Sequence, residues 1–422
     1  MLKIKNVNKK ISFALITTLI VATLVGPMVY LGFASLFHFI VMGIFLYTLL
    51  TRKLTLQTYK NPIMIFLEIW LLVAILSNIW SVSKSTSLQY TYYIFLIYAM
   101  GYIFTNHFSK DMLPAIINLF VFMVIILNII AIWETFTGNH LNSSYLSNAN
   151  RQRLFRYLPA TFFNNPNDFA TYIIQIIPFN LAGINSNNKF IKNIALANIP
   201  LSVFSIFAAQ ARTQMFVLFI TYAIYALFGL KKKELLKVIL GILIVSIFLL
   251  KLYPNATVFF RDGLNSISGQ EVKSSVEDGS MEIRIALLKN AALILLDSFG
   301  IGVGAGCHRI VMPFYSEKYF YTHNILVMHN FVGELFADYG LVVGILFIAA
   351  IANAFRLLLK IRSRTANGNE RIFLTMLAST LLTFVVSGIS SSSIIQLTSI
   401  WITFCMISAI LNVYSKKNDE VF

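Results

Sequence analysis

Apolar runs of about 18 or more residues, separated by short polar connections, recur from one end of the chain to the other. A helix of about 20 apolar residues crosses a hydrocarbon core of about 30 Å. The runs are continuous, whereas the strands of a membrane β-barrel alternate apolar and polar positions, so a barrel is excluded. The pattern predicts an all-α polytopic membrane protein of about twelve transmembrane helices, at 11–27, 28–50, 62–82, 88–105, 113–134, 168–184, 191–210, 213–230, 237–253, 331–355, 372–389 and 394–413. Residues 1–253 would carry spans one to nine, 254–330 a large extracytoplasmic loop, and 331–422 spans ten to twelve. Within the loop, "NSISGQEVKSSVEDGS" (265–280) is polar and flexible in composition, and "MEIRIALLKNAALILLDSF" (281–299) reads as an amphipathic helix. A second long outer segment falls at about 135–167. Long connections of this kind usually carry function or are disordered.

Composition agrees with this picture. Of 422 residues, 58% are hydrophobic and only 12% charged, against about 25% charged in an ordinary soluble domain. The net charge of +16 would fit a nucleic-acid binder if it lay on one surface. Instead, most Lys and Arg residues sit in alternate short connections, as the positive-inside rule requires with both termini in the cytoplasm. The expected partner is therefore the lipid bilayer, with no nucleic acid. The basic start "MLKIKNVNKK" precedes no obvious cleavage site and reads as the flank of a retained first span. Cys307 and Cys405 are far apart and imply no disulfide framework.

The candidate chemistry collects on the predicted outer side. In the helix at 281–299, Glu282, Lys289, Asn290 and Asp297 share one side, and Arg284 lies opposite with Leu288, Ala291 and Leu295. An arginine among apolar neighbours either snorkels to lipid phosphates or meets an anion within the protein. Arg212, in "AAQARTQMF", occupies a tight turn without an acidic neighbour in sequence; it is either an interfacial anchor or a second ligand cation. Arg151, Arg153 and Arg156 form a third cationic cluster. Three such features on the side where positive charge is scarce point to an anionic ligand, and phosphate suits the planar guanidinium fork.

His308, His323 and His329 lie near Cys307, but neither Cys-His nor His-x5-His is a recognised ligand spacing, and no carboxylate is evidently paired with them. No metal and no cofactor is expected. A histidine here would instead act as a general base, or simply as a hydrogen-bonded interfacial residue. "GIGVGAG" (300–306) follows no strand and predicts a tight backbone path or close approach to a ligand, not a dinucleotide loop. In "FFNNPNDFATYI", Asn165 and Pro166 have the form of a helix start, and a helix N-terminus there would also favour phosphate. In "VMHNFVGELFADYG" (327–340), Glu334 and Asp338 share a helix face and His329 points away from both. The carboxylates are expected to orient an outer-face arginine or a neighbouring helix, with His329 and Asn330 left for a substrate.

These motifs, in this order, resemble the bacterial O-antigen ligase and O-antigen polymerase superfamily. His329-Asn330, then "FVGELFADY", then Gly340 is similar to its His-Asn-x9-Gly motif; Arg212 and Arg284 match its arginine after a span and its arginine in the late loop. "NNPNDFA" is also common there. The chain departs where the superfamily continues Gly-x-x-Gly, because the second glycine here is Gly344. The resemblance implies an inner-membrane glycosyltransferase that takes a glycan from an undecaprenyl-diphosphate carrier at the outer face, with inversion and without metal. Arg212 and Arg284 would meet the diphosphate and His329 would act on the acceptor hydroxyl. Asn330, Glu334, Asp338, His323, Arg151, Arg153, Arg156 and Asn165 would border the substrate. Polymerisation of repeat units of an O-antigen or capsule-type surface polysaccharide is the favoured reading. An O-antigen ligase is the alternative, a lipid-linked oligosaccharide flippase the third. A separate flippase and a chain-length regulator would be partners.

Overall fold

The computed structural model describes residues 2–31, 34–51, 61–147, 156–229, scattered positions between 233 and 244, 279–314, 317–388 and 394–416. Arg151, Arg153, most of the span expected at 237–253 and the polar stretch 265–278 lie outside the described residues. The described chain is all-α apart from one two-stranded hairpin, β1 (Tyr30–Leu31) and β2 (Ala34–Ser35). Its helices are α1 (Leu2–Val25), α2 (Leu36–Thr51), α3 (Pro62–Ser77), α4 (Lys84–His107), α5 (Leu113–Thr137), α6 (Pro166–Gly183), α7 (Lys189–Ala208), α8 (Arg212–Gly229), α9 (Gly279–Asp297), α10 (His308–Phe314), α11 (Phe331–Arg364), α12 (Gly368–Ser387) and α13 (Ile402–Lys416).

The segments Lys9–Met28, Lys110–Thr137, Lys189–Ala208, Arg212–Gly229, Phe331–Arg364 and Gly368–Ser387 are 6 helical stretches long and apolar enough to cross a membrane. Leu36–Thr51, Pro62–Ser77 and Thr398–Tyr414 are shorter apolar helices. Several boundaries differ from expectation, among them the end of the third span at Ser77 rather than 82. The second span begins at Leu36, because Gly26–Met28 forms a 3-10 turn before the hairpin. The tenth continues to Arg364, well past 355, since the Arg and Lys of its last turns propagate a helix and Asn367-Gly368 is the first strong break. The last begins with a turn and the 3-10 segment Thr398–Trp401, so α13 starts only at Ile402.

The helices pack around rings and a few buried polar pairs. Trp70 of α3 meets Phe331 and Tyr339 of α11, and Trp401 meets Phe331, Phe384 and Phe404. Asn128 of α5 donates to Ser202 of α7 at 3.1 Å, and Asn198 of α7 donates to Asn180 of α6 at 2.7 Å. Polar contacts of this kind fix which helices are neighbours where apolar packing is indifferent to the partner, each contributing about 0.6 kcal/mol. The two ends of the bundle differ chemically. One carries the pairs Lys9–Asp111 and Lys110–Glu370 and the basic end of α11. The other carries the α3–α4 and α7–α8 turns, α9, α10 and the start of α11, and all the described candidate residues lie there.

Candidate functional site

Arg212 opens α8 beyond a tight turn. Gln210 takes a left-handed backbone (φ 54°), and the Arg212 N–H donates to the Gln210 carbonyl at 3.1 Å. One turn further, buried Gln214 donates to Thr171 Oγ1 at 2.7 Å and to the Ser387 carbonyl at 3.2 Å, which seats the start of α8 against α6 and α12. A cation at a helix N-terminus opposes the macrodipole, so Arg212 is not placed there for helix stability. Arg284, on α9, is half-buried and close enough to Arg212 to feel it. Burial first, and then the Arg212 charge, lower the Arg284 pKa from its ordinary value. The fold thus places Arg284 within electrostatic reach of Arg212, far from it in sequence.

Helix α9 is held by its polar side. Asn290, fully buried, donates through Nδ2 to the Phe320 carbonyl at 2.9 Å and accepts from the Phe320 N–H at 2.8 Å. Asp297 pairs with Lys318 at 2.7 Å and accepts from Tyr319 Oη at 3.2 Å. Asn290 and Asp297 of the polar side therefore meet residues 318–320. The opposite side, one turn beyond Arg284, forms with α11 an open apolar groove of about 390 Å³, bordered by Leu288, Ala291, Leu295, Asn330, Gly333 and Phe336 among others.

His329 directly precedes the groove residue Asn330 and is half-buried, with φ 46°. A non-glycine residue in the left-handed region costs about 1–3 kcal/mol and persists where its surroundings enforce it. Asn330 caps α11: its Oδ1 accepts the Gly333 N–H at 2.9 Å, and the same residue lines the groove. His323 is exposed, also left-handed, and lies against the Tyr321 ring at 4.7 Å.

Gly340 interrupts α11 with φ 78° and ψ −172°. The break leaves carbonyls without helical partners, and the glycine-rich turn supplies the N–H groups: Val303 donates to the Ala337 carbonyl and Gly304 to the Asp338 carbonyl, both at 3.0 Å, while Leu341 N–H donates back to Gly300 at 2.8 Å. Backbones approach so closely that a Cβ on Gly340 would lie 2.3 Å from the Gly300 oxygen, and one on Gly302 would lie 2.5 Å from the Asp338 oxygen. The tight path expected of "GIGVGAG" serves helix contact. Beyond the break the Phe336 ring lies over Gly344, where a Cβ would come within 2.4 Å.

Asp338 completes the joint, and here one expectation is corrected. Its fully buried carboxylate accepts from the Gly306 N–H (3.0 Å), the His308 N–H (2.9 Å) and His308 Nδ1 (2.8 Å). It orients the glycine-rich turn and the first residue of α10, the neighbouring-helix alternative rather than an arginine, and a carboxylate–histidine pair that spacing did not suggest exists across the loop. Sequence spacing missed it because the partner is brought by the break, not by helical periodicity. One donor atom each from His308, Glu334 and Asp338 lie within 4.8 Å of one another, so the trio has the composition of a cation site. Both Asp338 oxygens already accept N–H groups, and a cation would compete with three hydrogen bonds for them. The geometry fits a structural clamp better than a resident metal.

The other predicted residues stand apart from this cluster. Asn165 caps α6, accepting the Asp168 N–H at 2.9 Å. Arg156 lies against Gly138 and over the Tyr157 ring. Its segment is anchored by a residue the sequence reading overlooked: fully buried Glu134, which accepts from Ala160 N–H (2.7 Å), Thr161 N–H (2.8 Å) and Leu141 N–H (3.3 Å). An acidic residue inside an apolar run is the signal that would have found it. His140 joins the anchor. Burial works against its charged form, but Glu134, 3.6 Å from Nδ1, and the Arg156 carbonyl outweigh that and raise its pKa above 6.5.

Two comparisons with known proteins agree with helices long and apolar enough to cross a membrane. The O-antigen ligase family model matches residues 197–348, a range that holds Arg212, Arg284, His329, Asp338 and Gly340 but not Arg156, Asn165 or "NNPNDFA". The chain is also 26% identical, over 371 residues, to the teichuronic acid biosynthesis protein TuaE of Bacillus subtilis (strain 168), a match covering 85% of this chain and 73% of that one. Both matches support the resemblance to the O-antigen ligase and polymerase superfamily.

Proposed function

We propose that the protein is a membrane glycosyltransferase of surface-polysaccharide biosynthesis, polymerising repeat units carried on undecaprenyl diphosphate at the outer face of the cytoplasmic membrane. The observation that carries this reading is that Arg284, within electrostatic reach of Arg212, stands on the same face of α9 as the residues that line an apolar groove one turn further on. Two neighbouring cations suit a multiply charged anion, and an apolar groove on the same helix face suits a lipid tail. A polyprenyl diphosphate has both parts. In the reaction, the acceptor hydroxyl attacks the anomeric carbon, the bond from that carbon to the diphosphate oxygen breaks, and negative charge grows on the leaving diphosphate. Fixed guanidinium groups stabilise that charge without reorganising. His329 takes the proton of the attacking hydroxyl, beside the groove residue Asn330. Inversion follows from direct attack on the face opposite the leaving group.

A relative named for teichuronic acid biosynthesis favours polymer formation, whereas the family model's description favours transfer of a finished glycan to a final acceptor. Product analysis separates them. Purified protein given one lipid-linked repeat unit is expected to yield a ladder of lipid-linked oligomers. If the unit is consumed only when a separate acceptor is added, and no ladder forms, the ligase reading replaces this one. Movement of the intact unit across a vesicle bilayer, without either product, would support a flippase.

A further inference from the structure

The glycine-rich turn between α9 and α10, which packs against α11, leaves two large apolar side chains in the open. Phe299 is 96% exposed and Ile301 56% exposed. Phe299 is also left-handed, with φ 51°, although nothing inside the protein rewards an aromatic at that position. Around them lie further exposed apolar residues. Ile79, Trp80 and Val82 come from the α3–α4 turn, and the Trp80 Nε1–H donates to the Gly302 carbonyl at 3.0 Å, which ties the two turns together. Gly300 abuts Leu341, the first of a series of exposed apolar residues running down α11 through Val342, Ile345 and Ile348. A span so apolar on its outer surface faces lipid, and the patch around Phe299 is continuous with it.

We infer that this turn is an interfacial membrane anchor: Phe299 and Ile301, flanked by Ile79, Trp80 and Val82, insert into the adjacent leaflet and hold the C-terminal end of α9 at the bilayer surface. Three features fit an interface rather than a deep insertion. An indole with its N–H bonded and its ring exposed is characteristic of the membrane–water boundary. The charged pair Asp297–Lys318, two residues before Phe299, remains partly exposed and suits the polar headgroup region. The N–H groups of residues 299–302 donate to Leu295, Leu296 and Ser298 and those of Val303 and Gly304 to α11, so the turn enters an apolar medium without stranded N–H groups. The consequence is mechanical. Arg284 rides on a helix pinned at one end by lipid and along its polar side by residues 318–320, so its height is set relative to the headgroups. The inference stands on exposure and continuity, whatever reaction the site performs.

The test uses the full-length protein in liposomes, with a nitroxide attached to Phe299→Cys; Cys307 and Cys405 are buried and should take no label. Val342→Cys is the lipid reference and Glu317→Cys the aqueous one. The label at 299 should collide with oxygen at least about threefold more often, relative to a water-soluble nickel chelate, than the label at 317, and approach the value at 342. Ile301→Cys gives the same comparison if the first variant folds poorly. A ratio at 299 equal to that at 317 would overturn the inference. So would a label shielded from both colliders with spin–spin broadening between copies, which would assign the patch to a second protein.

Discussion

At the residue scale, three side chains carry the proposed chemistry, and each makes a different prediction. Arg284→Lys keeps the charge but loses the planar fork, and turnover on a lipid-linked unit is expected to fall by about 10²-fold, as for loss of one positioned donor to a developing oxyanion. Arg212→Ala should weaken activity similarly. Because the Arg212 charge bears on Arg284, the two substitutions should not be additive, and the double variant should lose less than the sum of the two. His140 supplies a prediction about pH. Its folded pKa lies above its ordinary 6.5, so the protonated ring contributes to anchoring of the 138–161 segment fully below that value, and the contribution fades as pH rises through the folded pKa. Limited proteolysis of this segment should accelerate as pH is raised from about 6 to about 8 in the wild type, and lose that dependence in His140→Gln. The sequence reading singled out His329, Arg212 and Arg284 because each departs from its local pattern: a cation among apolar neighbours, a His-Asn pair at a span start. It could not see that Asp338 and His308 meet, since their contact depends on a left-handed glycine rather than on spacing.

At the scale of elements, the joint between α9 and α11 decides how far Arg284 lies from His329. Its parts are the break at Gly340, the glycine-rich turn and the Asp338 carboxylate. Gly340→Ala combines a backbone conformation unsuited to an L side chain with direct collision against the Gly300 oxygen. It should destabilise the protein by about 2 kcal/mol or more, visible as a lower thermal midpoint in detergent. Asp338→Asn turns one acceptor into a donor facing N–H groups and should cost about 1–3 kcal/mol. If Asp338 positions rather than catalyses, that variant should shift the apparent KM for the lipid-linked substrate while leaving the pH profile of turnover unchanged. The amphipathic division of α9 was legible in its periodicity, whereas its environment was not: the polar side meets the backbone of Phe320, and periodicity cannot name a partner supplied by a distant loop.

At the scale of the molecule, the long apolar runs correspond to helices wherever the chain is described, because a bilayer leaves a continuous apolar run few other structures. Their ends were less legible, as the extension of α11 to Arg364 shows: basic residues that mark a membrane boundary are also good helix formers, so charge and helix ends need not coincide. The assembly as a whole gathers two cations, an apolar groove and a histidine at one end of the bundle, and the account stands on their acting together. The most direct measurement gives wild-type protein and His329→Gln the same purified lipid-linked repeat unit, in matched liposomes, and follows both oligomer formation and binding of the unit. The account predicts that the variant binds the unit within about twofold of wild type and extends it at least about 10²-fold more slowly. A variant that builds the wild-type ladder at an unchanged rate would contradict it.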